Sequence, residues 1–495
     1  MPLTKNALKY WNTLSHIAND VDFSNIIDNY RTGIFLHPKK IAWSGNNDEE
    51  LLVNLQENNG LIRINVTSIT ADVTSGDGGG SSTTGTAQAA IVSYGVKDHN
   101  IVPIDINKSD KDCNLKTYKH LFSMRNPDTI TTLRYNDKKY VITANEGDSR
   151  EFDAYADQVK AEEIFVGNQF GLPHVQVPKS IFDPSTNNTA DSGSSALFNS
   201  NCEGIDCVSG ASIILGSNAI DYETDPMNPI FLRIVMAGGR GWSIYELPED
   251  PENLLKLVFD SGDAIENTSC EYYPWAHNAQ IDDENAPAGD NFPNNTLWQV
   301  ADDEFREILT AANDPNEDGC MDRGDGKPGA CSMSDTMDAR SPKDGASIEQ
   351  IVIGEACGRL LAVTAGEKSS IALVFDITEL TTPRVIKVFH LSPASQHKSA
   401  GIAYNDGTIG EIDPENSVFL TAEKSPTGKA GIMFIGAFSG TVSFWEFDCE
   451  EPDLVEENAA EEDTTNLRSA SPSIVAGAGY VLSSVALVAM SLFSR

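Results

Sequence analysis

Basic residues are scarce in this sequence, and their scarcity limits the possible partners. The 495 residues include 35 Lys and Arg against 73 Asp and Glu, which gives a formal net charge of −38 at pH 7. A surface of this sign repels phosphate backbones, so we expect no nucleic acid among the partners. It attracts divalent cations instead, and clustered carboxylates suit hard ions such as Ca²⁺. The alternative is that the acidic surface only keeps the protein soluble.

The common catalytic and cysteine motifs are absent as well. The sequence has no HExxH, GxSxG or GxxxxGK[ST] motif, and its eight His residues are scattered without paired metal spacing. None of the eight Cys residues belongs to a CxxC pair, which argues against a zinc ribbon or a thioredoxin-like site. Hydrolase chemistry based on these motifs is therefore not expected, and a non-catalytic function is favoured.

Cysteine number and glycosylation sequons favour the secretory pathway. Two cysteine pairs, Cys202 with Cys207 and Cys320 with Cys331, lie in short polar loops that a disulfide would restrict. The sequence itself leaves the actual pairing open. Five Asn-x-Ser/Thr sequons occur, at Asn65, Asn107, Asn187, Asn267 and Asn294. We therefore expect an exported, disulfide-bonded glycoprotein.

The C-terminal end has the order of features typical of a GPI-attachment signal. Small residues at 469–471 are followed by a spacer and by the apolar run 481–493, with Ser469 as the expected attachment residue. The alternative is a transmembrane helix that starts near Ile474. Either anchor would hold the protein on the extracellular face of the plasma membrane. Residues 1–16 contain no apolar stretch of a signal peptide, so the sequence is expected to lack its true N-terminus.

A strand–turn–strand unit recurs along the sequence, which predicts an all-β fold. Alternating apolar residues mark the strands, and Asn-Asp, Asn-Asn and Ser-Gly pairs mark the turns. The five units begin at Ile41, Asp128, Phe231, Ile348 and Asn416. Their unequal spacing argues for β-propeller blades rather than a solenoid, with a β-sandwich as the weaker alternative. Because such rings usually close with more blades, N-terminal blades are expected to be missing.

Four segments make up the predicted organisation. They are an undefined N-terminal segment (1–24), a propeller (25–449) with insertions at 75–90 and 280–335, an acidic disordered stalk (450–472) and an apolar tail (473–495). The second insertion is expected to include a short amphipathic helix at 303–312.

A calcium-loop pattern follows this predicted helix. Short oxygen-bearing side chains at alternate positions can converge on one ion, and Gly319 permits the sharp turn. The candidate ligand positions are Asp314, Asn316, Asp318, Cys320, Asp322 and Asp325. The residues after the loop cannot continue as a helix, so at best half of an EF-hand or a thrombospondin-like loop is predicted. The alternative is an exposed acidic loop that a Cys320–Cys331 disulfide restricts.

Acidic residues also close the predicted blade strands. Equivalent positions on successive blades gather at one end of a propeller, so these side chains could ring a metal ion or a phosphate-processing centre. The candidates are Glu57, Glu146, Asp148, Glu349, Glu415 and, after a further strand, Glu423. Ordinary turn capping is the alternative. Arg150 could clamp a phosphate beside them, although a structural ion pair is the simpler expectation.

Several segments occur in an order that is characteristic of one protein family. They are LQENNGLIRINV (55–66), YGVKDHN (94–100), NPDTI (126–130), YVITANEGDSREF (140–152), GGRGWSIYE (238–246), VFDSGDAIE (258–266), DARS (338–341) and SPTGKAGIMFIGAFSGTVSFWEF (425–447). Over residues 25–448 the chain resembles the choice-of-anchor I family, and TANEGDSRE is the most specific segment. The resemblance implies an extracellular β-propeller, seven-bladed in the family, whose members differ in how they attach to the cell surface.

The resemblance implies two functional classes. Eukaryotic members are GPI-anchored and associated with biomineralisation, whereas bacterial members are often described as alkaline phosphatase-like. We expect a non-catalytic, calcium-binding cell-surface glycoprotein in adhesion or mineral handling, with a metal-dependent phosphoesterase or an ion-free adhesion propeller as alternatives. Against the family pattern, Ser347 replaces a Glu, and Gly436-Ala437 replaces an Asn-Glu pair. If those acids bind metal in the family, this chain lacks part of the site.

Overall fold

Strands are the main regular secondary structure of the residues that the structure describes. The computed structural model describes residues 38–44, 50–74, 82–108, 110–118, 121–152, 155–160, 165–166, 169–170, 211–216, 219–221, 224–225, 227, 230–280, 332–398 and 400–449. The first strands are β1 (Pro38–Trp43), β2 (Glu50–Leu55), β3 (Gly60–Thr74), β4 (Ser82–Ser93), β5 (Val96–Asp98), β6 (Leu121–Met124), β7 (Ile130–Tyr135), β8 (Lys138–Asn145), β9 (Glu151–Phe152), β10 (Tyr155–Ala156), β11 (Gln158–Lys160), β12 (Phe165–Val166) and β13 (Gln169–Phe170). The later strands are β14 (Ser212–Ile214), β15 (Ile220–Asp221), β16 (Ile230–Phe231), β17 (Ile234–Met236), β18 (Gly241–Glu246), β19 (Lys256–Asp260), β20 (Ile348–Ala356), β21 (Arg359–Gly366), β22 (Ile371–Asp376), β23 (Arg384–His390), β24 (Asn416–Leu420), β25 (Gly431–Gly436) and β26 (Thr441–Glu446). The helices are α1 (Ala264–Tyr272) and α2 (Ala400–Asn405), with 3₁₀ turns at Pro274–Ala276 and Pro393–Gln396.

Four antiparallel sheets form the body of the described fold. Sheet A has the strand order β1-β2-β3-β4, sheet B β7-β8-β18-β19, sheet C β20-β21-β22-β23 and sheet D β24-β25-β26. Two-residue turns connect the first two strands of sheets B and C. Both central residues of each turn have positive φ: Asn136 and Asp137 at 50° and 61°, and Cys357 and Gly358 at 55° and 71°. Such turns match the twist of the strands that they join, and Asn, Asp and Gly adopt this backbone readily.

The second and third predicted units form one sheet rather than two blades. Strand β18 pairs with β8 along its whole length, from Gly241 opposite Asn145 to Glu246 opposite Tyr140. Because β18 and β19 complete sheet B, the segment between residues 145 and 241 interrupts a single sheet. The prediction of a separate unit at Phe231 is therefore wrong, and four sheets replace the five units in the described residues.

Consecutive sheets pack against each other through their apolar faces. β1 lies against β7, β7 and β8 lie against β20, and β20 lies against β24. Buried Trp242 of sheet B contacts Phe375 of sheet C with ring centroids 5.0 Å apart, and Phe389 of sheet C stacks on Trp445 of sheet D at 4.6 Å. These aromatic contacts bury large apolar areas and so fix the order of the sheets. The all-β class is confirmed, whereas closure into a propeller ring stays a prediction.

Short strands outside these sheets build a separate apolar core. β17 pairs in parallel with β6, and β5 adds to the other edge of β6. Buried members of this core include Ile104, Leu121, Phe231 and Met236. The Cys113–Cys270 disulfide joins a nearby loop to α1, and the Cys357–Cys449 disulfide joins sheet C to the end of sheet D. The two cysteine pairs that the sequence suggests lie outside the described residues.

Several other predicted segments are described in part or not at all. β4 extends into the predicted insertion at 75–90, because residues 82–90 pair with β3. The N-terminal segment, the predicted helix at 303–312, the stalk and the tail at 473–495 lie outside the described residues. In the part of the chain that the structure describes, no helix has the length and apolarity needed to cross a membrane.

Candidate metal centre

Six carboxylates gather at one end of sheets B, C and D. In each sheet the first strand starts and the second strand ends at the same edge, because the two strands are antiparallel. Side chains at these positions face a common region between the sheets, where they interact electrostatically. This carboxylate cluster consists of Asp128, Glu146, Glu349, Glu367, Asp413 and Glu415.

Sheet B contributes Asp128 before β7 and Glu146 after β8. The backbone N–H of Asp128 donates to the carbonyl of Ala144 at 3.0 Å, which holds the start of β7 beside the end of β8. The Gln56 amide donates to Glu146 Oε2 at 2.7 Å. Lys39 Nζ lies 3.6 Å from Asp128 Oδ1. Sheet A therefore supplies the Gln56 amide, directly after β2, and the cations Lys39 and Lys40 of β1 at the rim of the cluster.

Sheet C contributes Glu349 through a bulge and Glu367 through a strand end. The ladder between β20 and β21 shifts register between Ile348 and Gln350, so the intervening Glu349 has no paired position. A bulge of this kind redirects a side chain away from its regular face. Glu367 follows β21 directly, and its backbone N–H donates to the carbonyl of Ser347 at 2.9 Å. Both side chains thus meet at the edge where β20 begins.

Sheet D supplies Asp413 and Glu415 immediately before β24. Lys368 connects them with sheet C, because its ammonium lies 2.5 Å from Glu367 Oε1 and 3.7 Å from Asp413 Oδ1. Together with Lys39 and Lys40, which both act electrostatically on Asp128, three lysines face the six carboxylates. When every carboxyl group is ionised, the cluster therefore carries an excess of negative charge.

This excess of charge disturbs the acid–base equilibria of the cluster. Burial, together with the negative charges of Glu367 and Asp128, raises the pKa of Glu349 to about 9. Burial is also the largest cause that raises the pKa of Asp413, to about 8. Burial and the charges of Glu367 and Glu349 raise the pKa of Glu146 well above its usual range. Without a cation, part of the cluster therefore holds protons at neutral pH.

Four buried oxygens of the cluster have no hydrogen-bond partner. They are Oδ1 of Asp128, Oε2 of Glu349, Oε2 of Glu367 and Oδ1 of Asp413, and Glu367 is only 8% exposed. A buried carboxylate oxygen without a partner is costly, and a bound cation removes that cost. All the donor atoms of the cluster are oxygens, which is the set that Ca²⁺ prefers. The residues present therefore fit a calcium ion.

Comparison with known proteins identifies the family. The model of the choice-of-anchor I domain matches residues 19–292, which is more than half of the chain. The chain belongs to the choice-of-anchor I family. The matched region of this choice-of-anchor I protein includes sheets A and B with Asp128 and Glu146, and sheets C and D follow it in the sequence.

Two curated proteins are similar to parts of the choice-of-anchor I chain. The Mesenchyme-specific cell surface glycoprotein of Strongylocentrotus purpuratus is 29% identical over 197 residues, which are 37% of this chain and 22% of that protein. Gigasin-3a of Magallana gigas is 21% identical over 113 residues, which are 23% of this chain and 40% of that protein. The matches thus span less than half the length of either relative. No solved structure matches.

Three of the six acidic residues predicted to close the blade strands lie together in this choice-of-anchor I chain. The predicted members found in the carboxylate cluster are Glu146, Glu349 and Glu415. Asp148 interacts electrostatically with Lys39, a cation at the rim. Glu57 is half-buried and follows Gln56, the amide donor to the cluster. Their role in metal binding stays a prediction.

Two neighbouring predictions have different outcomes. Glu423, predicted to close a strand beside the others, lies exposed between β24 and β25, at the opposite end of sheet D from Glu415. That prediction is wrong because Glu423 follows the first strand of its sheet rather than the second. Arg150 Nε lies 2.8 Å from Asp157 Oδ2, the structural ion pair that was the simpler expectation.

The cluster also contains three residues that sequence analysis missed: Asp128, Glu367 and Asp413. A repeated pattern could have revealed Glu367, because Thr-Ala-x-Glu occurs at 143–146 and again at 364–367. Both copies end the second strand of a sheet with the same acid. Asp128 and Asp413 precede first strands, a position that carries no comparable sequence signal.

The two departures from the family pattern have distinct surroundings. Ala437 follows the second strand of sheet D, where sheets B and C each carry a glutamate. In sheet D the carboxylates come instead from the start of the first strand, through Asp413 and Glu415. Ser347 is fully buried, and its hydroxyl donates to Asp344 Oδ2, so it stabilises a turn.

The structure describes only some of the remaining predicted site residues. The calcium loop Asp314–Asp325, the attachment residue Ser469 and the sequons at Asn187 and Asn294 lie outside the described residues. Asn267 is exposed on α1, whereas Asn107 is 9% exposed and Asn65 is half-buried in β3. Because a glycan needs a surface position, exposure favours Asn267 among the three described sequons.

Proposed function

We propose that this protein is a non-catalytic cell-surface glycoprotein that binds Ca²⁺ at the carboxylate cluster. The observation that carries this proposal is the meeting of six carboxylates from three sheets in one region with three lysines. Oxygen ligands, an excess of negative charge and four buried oxygens without a hydrogen-bond partner all favour a hard divalent cation. The bound ion would join sheets B, C and D at one end.

Several observations support an extracellular location for this function. The family membership and the likeness to a relative named a cell surface glycoprotein agree with display outside the cell. The disulfides Cys113–Cys270 and Cys357–Cys449 agree with an oxidising compartment. A GPI moiety at Ser469, or a C-terminal transmembrane helix, would attach the protein to the membrane. Calcium held at the end of the sheets would suit adhesion or mineral handling.

Isothermal titration with CaCl₂ tests the proposal on the full chain after removal of metal by a chelator. We expect the wild type to bind Ca²⁺ and Glu349→Gln to weaken binding by about 10-fold or more, because it removes a charged ligand while keeping side-chain size. The matched control is Glu423→Gln, which changes an exposed acid at the opposite end of sheet D and should leave the affinity unchanged.

Two outcomes would replace the proposal. Loss of binding in Asp318→Asn with full binding in Glu349→Gln would move the calcium site to the loop at 314–325. Calcium-dependent hydrolysis of p-nitrophenyl phosphate that Glu349→Gln abolishes would favour the metal-dependent phosphoesterase over a non-catalytic protein.

A further inference from the structure

A second polar centre lies apart from the carboxylate cluster, beside α1. It joins Asp105 of the loop after β5, His277 after the 3₁₀ turn Pro274–Ala276, and Asp338 of the segment before β20. All three side chains are completely buried. Asp105 and His277 are 172 positions apart in the sequence, so the centre connects distant segments. Buried charges are costly unless another group neutralises them.

The distances between the three ligand atoms suit a small divalent metal. His277 Nε2 lies 3.2 Å from Asp105 Oδ2 and 3.8 Å from Asp338 Oδ1. All three atoms lie within 4.8 Å of one another. Ligands at 2.0–2.1 Å from a tetrahedral zinc ion are about 3.3 Å apart, which falls between the two measured distances. An imidazole with two carboxylates is also a donor set that zinc accepts.

Neighbouring groups hold both carboxylates in place. Asp105 accepts backbone N–H groups from Asn107 and Asn114, each at 3.0 Å. Asp338 accepts the backbone N–H of Asp112 at 3.0 Å and the Ser341 hydroxyl at 2.8 Å. Hydrogen bonds of this kind orient metal-binding carboxylates in known sites. These hydrogen bonds hold the oxygens of Asp105 and Asp338 that lie nearest His277 in positions that face its ring.

The hydrogen bonds of His277 depend on which ring nitrogen carries the proton. Its Nδ1 lies 3.3 Å from Cys270 Sγ, and that sulfur has no proton because it is bonded to Cys113. In the tautomer whose Nδ1 donates to this sulfur, the Nε2 lone pair faces the acceptor Asp105 Oδ2 at 3.2 Å, and a cation between the two acceptors would satisfy both. In the other tautomer Nε2–H donates to Asp105, and no cation is needed between them.

In the tautomer with the proton on Nδ1, Asn278 donates no hydrogen to His277 Nε2. Its Nδ2 lies 3.2 Å from His277 Nε2, but its two hydrogens point to Glu266 Oε1 at 3.0 Å and Ser341 Oγ at 2.9 Å. Its own Oδ1 is buried without a hydrogen-bond donor. With the proton on Nδ1, the pocket around His277 therefore contains more acceptors than donors, and a bound cation corrects that excess.

We propose that Asp105, His277 and Asp338 hold a structural divalent metal ion of the zinc class. The ion would bind Nε2 and the two carboxylates, with a fourth position for water or an amide oxygen. Because the three side chains are sealed from solvent, the ion would join chain segments rather than exchange substrate. It would act next to the Cys113–Cys270 disulfide, so two cross-links of different chemistry would fasten α1 to the loop after β5.

Metal analysis of the purified full chain tests this site. We expect about one equivalent of zinc to remain after dialysis, and His277→Gln and Asp338→Asn each to lower it to background. His390→Gln is the matched control, since His390 is also buried but its ring contacts Met333 Sδ and the backbones of Ser369 and Ser392. Glu349→Gln should keep the bound zinc but lose calcium binding. The zinc proposal and the calcium proposal can therefore be refuted independently.

A measurement on the wild type avoids dependence on how the variants fold. Chelator-stripped protein titrated with Co²⁺ should develop visible d–d absorption that saturates near one equivalent and that Zn²⁺ displaces. If no absorption develops and the purified chain holds no zinc, the proposal is overturned. Zinc that His277→Gln and His390→Gln lower equally would also overturn it.

Discussion

Glu349 shows how a single residue couples the fold to pH. The β20 bulge turns it into the cluster, where burial and the charges of Glu367 and Asp128 raise its pKa from 4.5 to about 9. Between these values the folded chain keeps a proton that the unfolded chain has released. Rising pH therefore lowers the free energy of unfolding in this window.

Thermal unfolding in EDTA should display this dependence. We expect the Tm of the wild type to fall as pH rises from 4.5 to about 9, and the fall to be smaller in Glu349→Gln, which cannot ionise. Glu423→Gln should follow the wild type. Saturating Ca²⁺ should raise the Tm most at the high end, because the metal binds ionised carboxylates. Identical slopes in wild type and Glu349→Gln would contradict the assigned pKa.

Residue patterns predict part of the cluster and miss the rest for a physical reason. Glu146 is predictable because a strand pattern precedes it, and Glu367 occupies the same place in a second copy of Thr-Ala-x-Glu. Asp413 differs: its nearest charges come from Lys368 and Glu367, on a different sheet. Such contacts depend on how sheets pack, and a single sequence carries no pattern for them. The buried Asp105–His277–Asp338 centre is hidden in the same way.

Individual elements follow local sequence rules, whereas their pairing does not. The hairpin of β7 and β8 is predictable from alternating residues around Asn136 and Asp137. The addition of β18 to β8 is not, because the two strands are separated by a long insertion and pair through backbone groups common to all residues. An extra blade at Phe231 was the result of applying the local rule alone.

Sheets C and D are linked by a disulfide at the end away from the cluster. Cys357 lies in the β20–β21 turn and is bonded to Cys449 after β26, 92 positions later. Glu349 lies at the other end of β20, whose nine residues span about 30 Å. The disulfide should therefore influence stability without influencing the cation site.

The double variant Cys357→Ser/Cys449→Ser separates these effects. We expect its free energy of unfolding to fall by about 2–4 kcal/mol, because the unfolded chain regains the entropy of a long open loop. Urea unfolding of the calcium-loaded proteins measures the loss, and calcium titration at native conditions should give the wild-type affinity. A matching loss of affinity would mean that the positions of Asp413 and Glu415 depend on the disulfide.

At the scale of the whole molecule, the net charge of −38 acts on every part of the fold. Mutual repulsion of like charges destabilises a compact chain, and any salt weakens this repulsion by screening. A calcium effect on stability therefore has two components, general screening and binding at the cluster. The first depends on ionic strength alone, whereas the second requires the ligands that sheets B, C and D bring together.

Matched salt titrations distinguish the two components. In EDTA, added KCl should raise the Tm of the wild type and of Glu349→Gln by the same amount, because both chains retain nearly the same net charge. In chelator-free buffer, CaCl₂ at equal ionic strength should raise the wild type further but should stabilise Glu349→Gln little more than KCl does. If CaCl₂ stabilises both chains equally beyond KCl, the ion acts elsewhere, and the loop at 314–325 becomes the place to test. If CaCl₂ and KCl raise the Tm of each chain by the same amount, the acidic residues serve solubility. Protons rather than calcium then neutralise the carboxylate cluster.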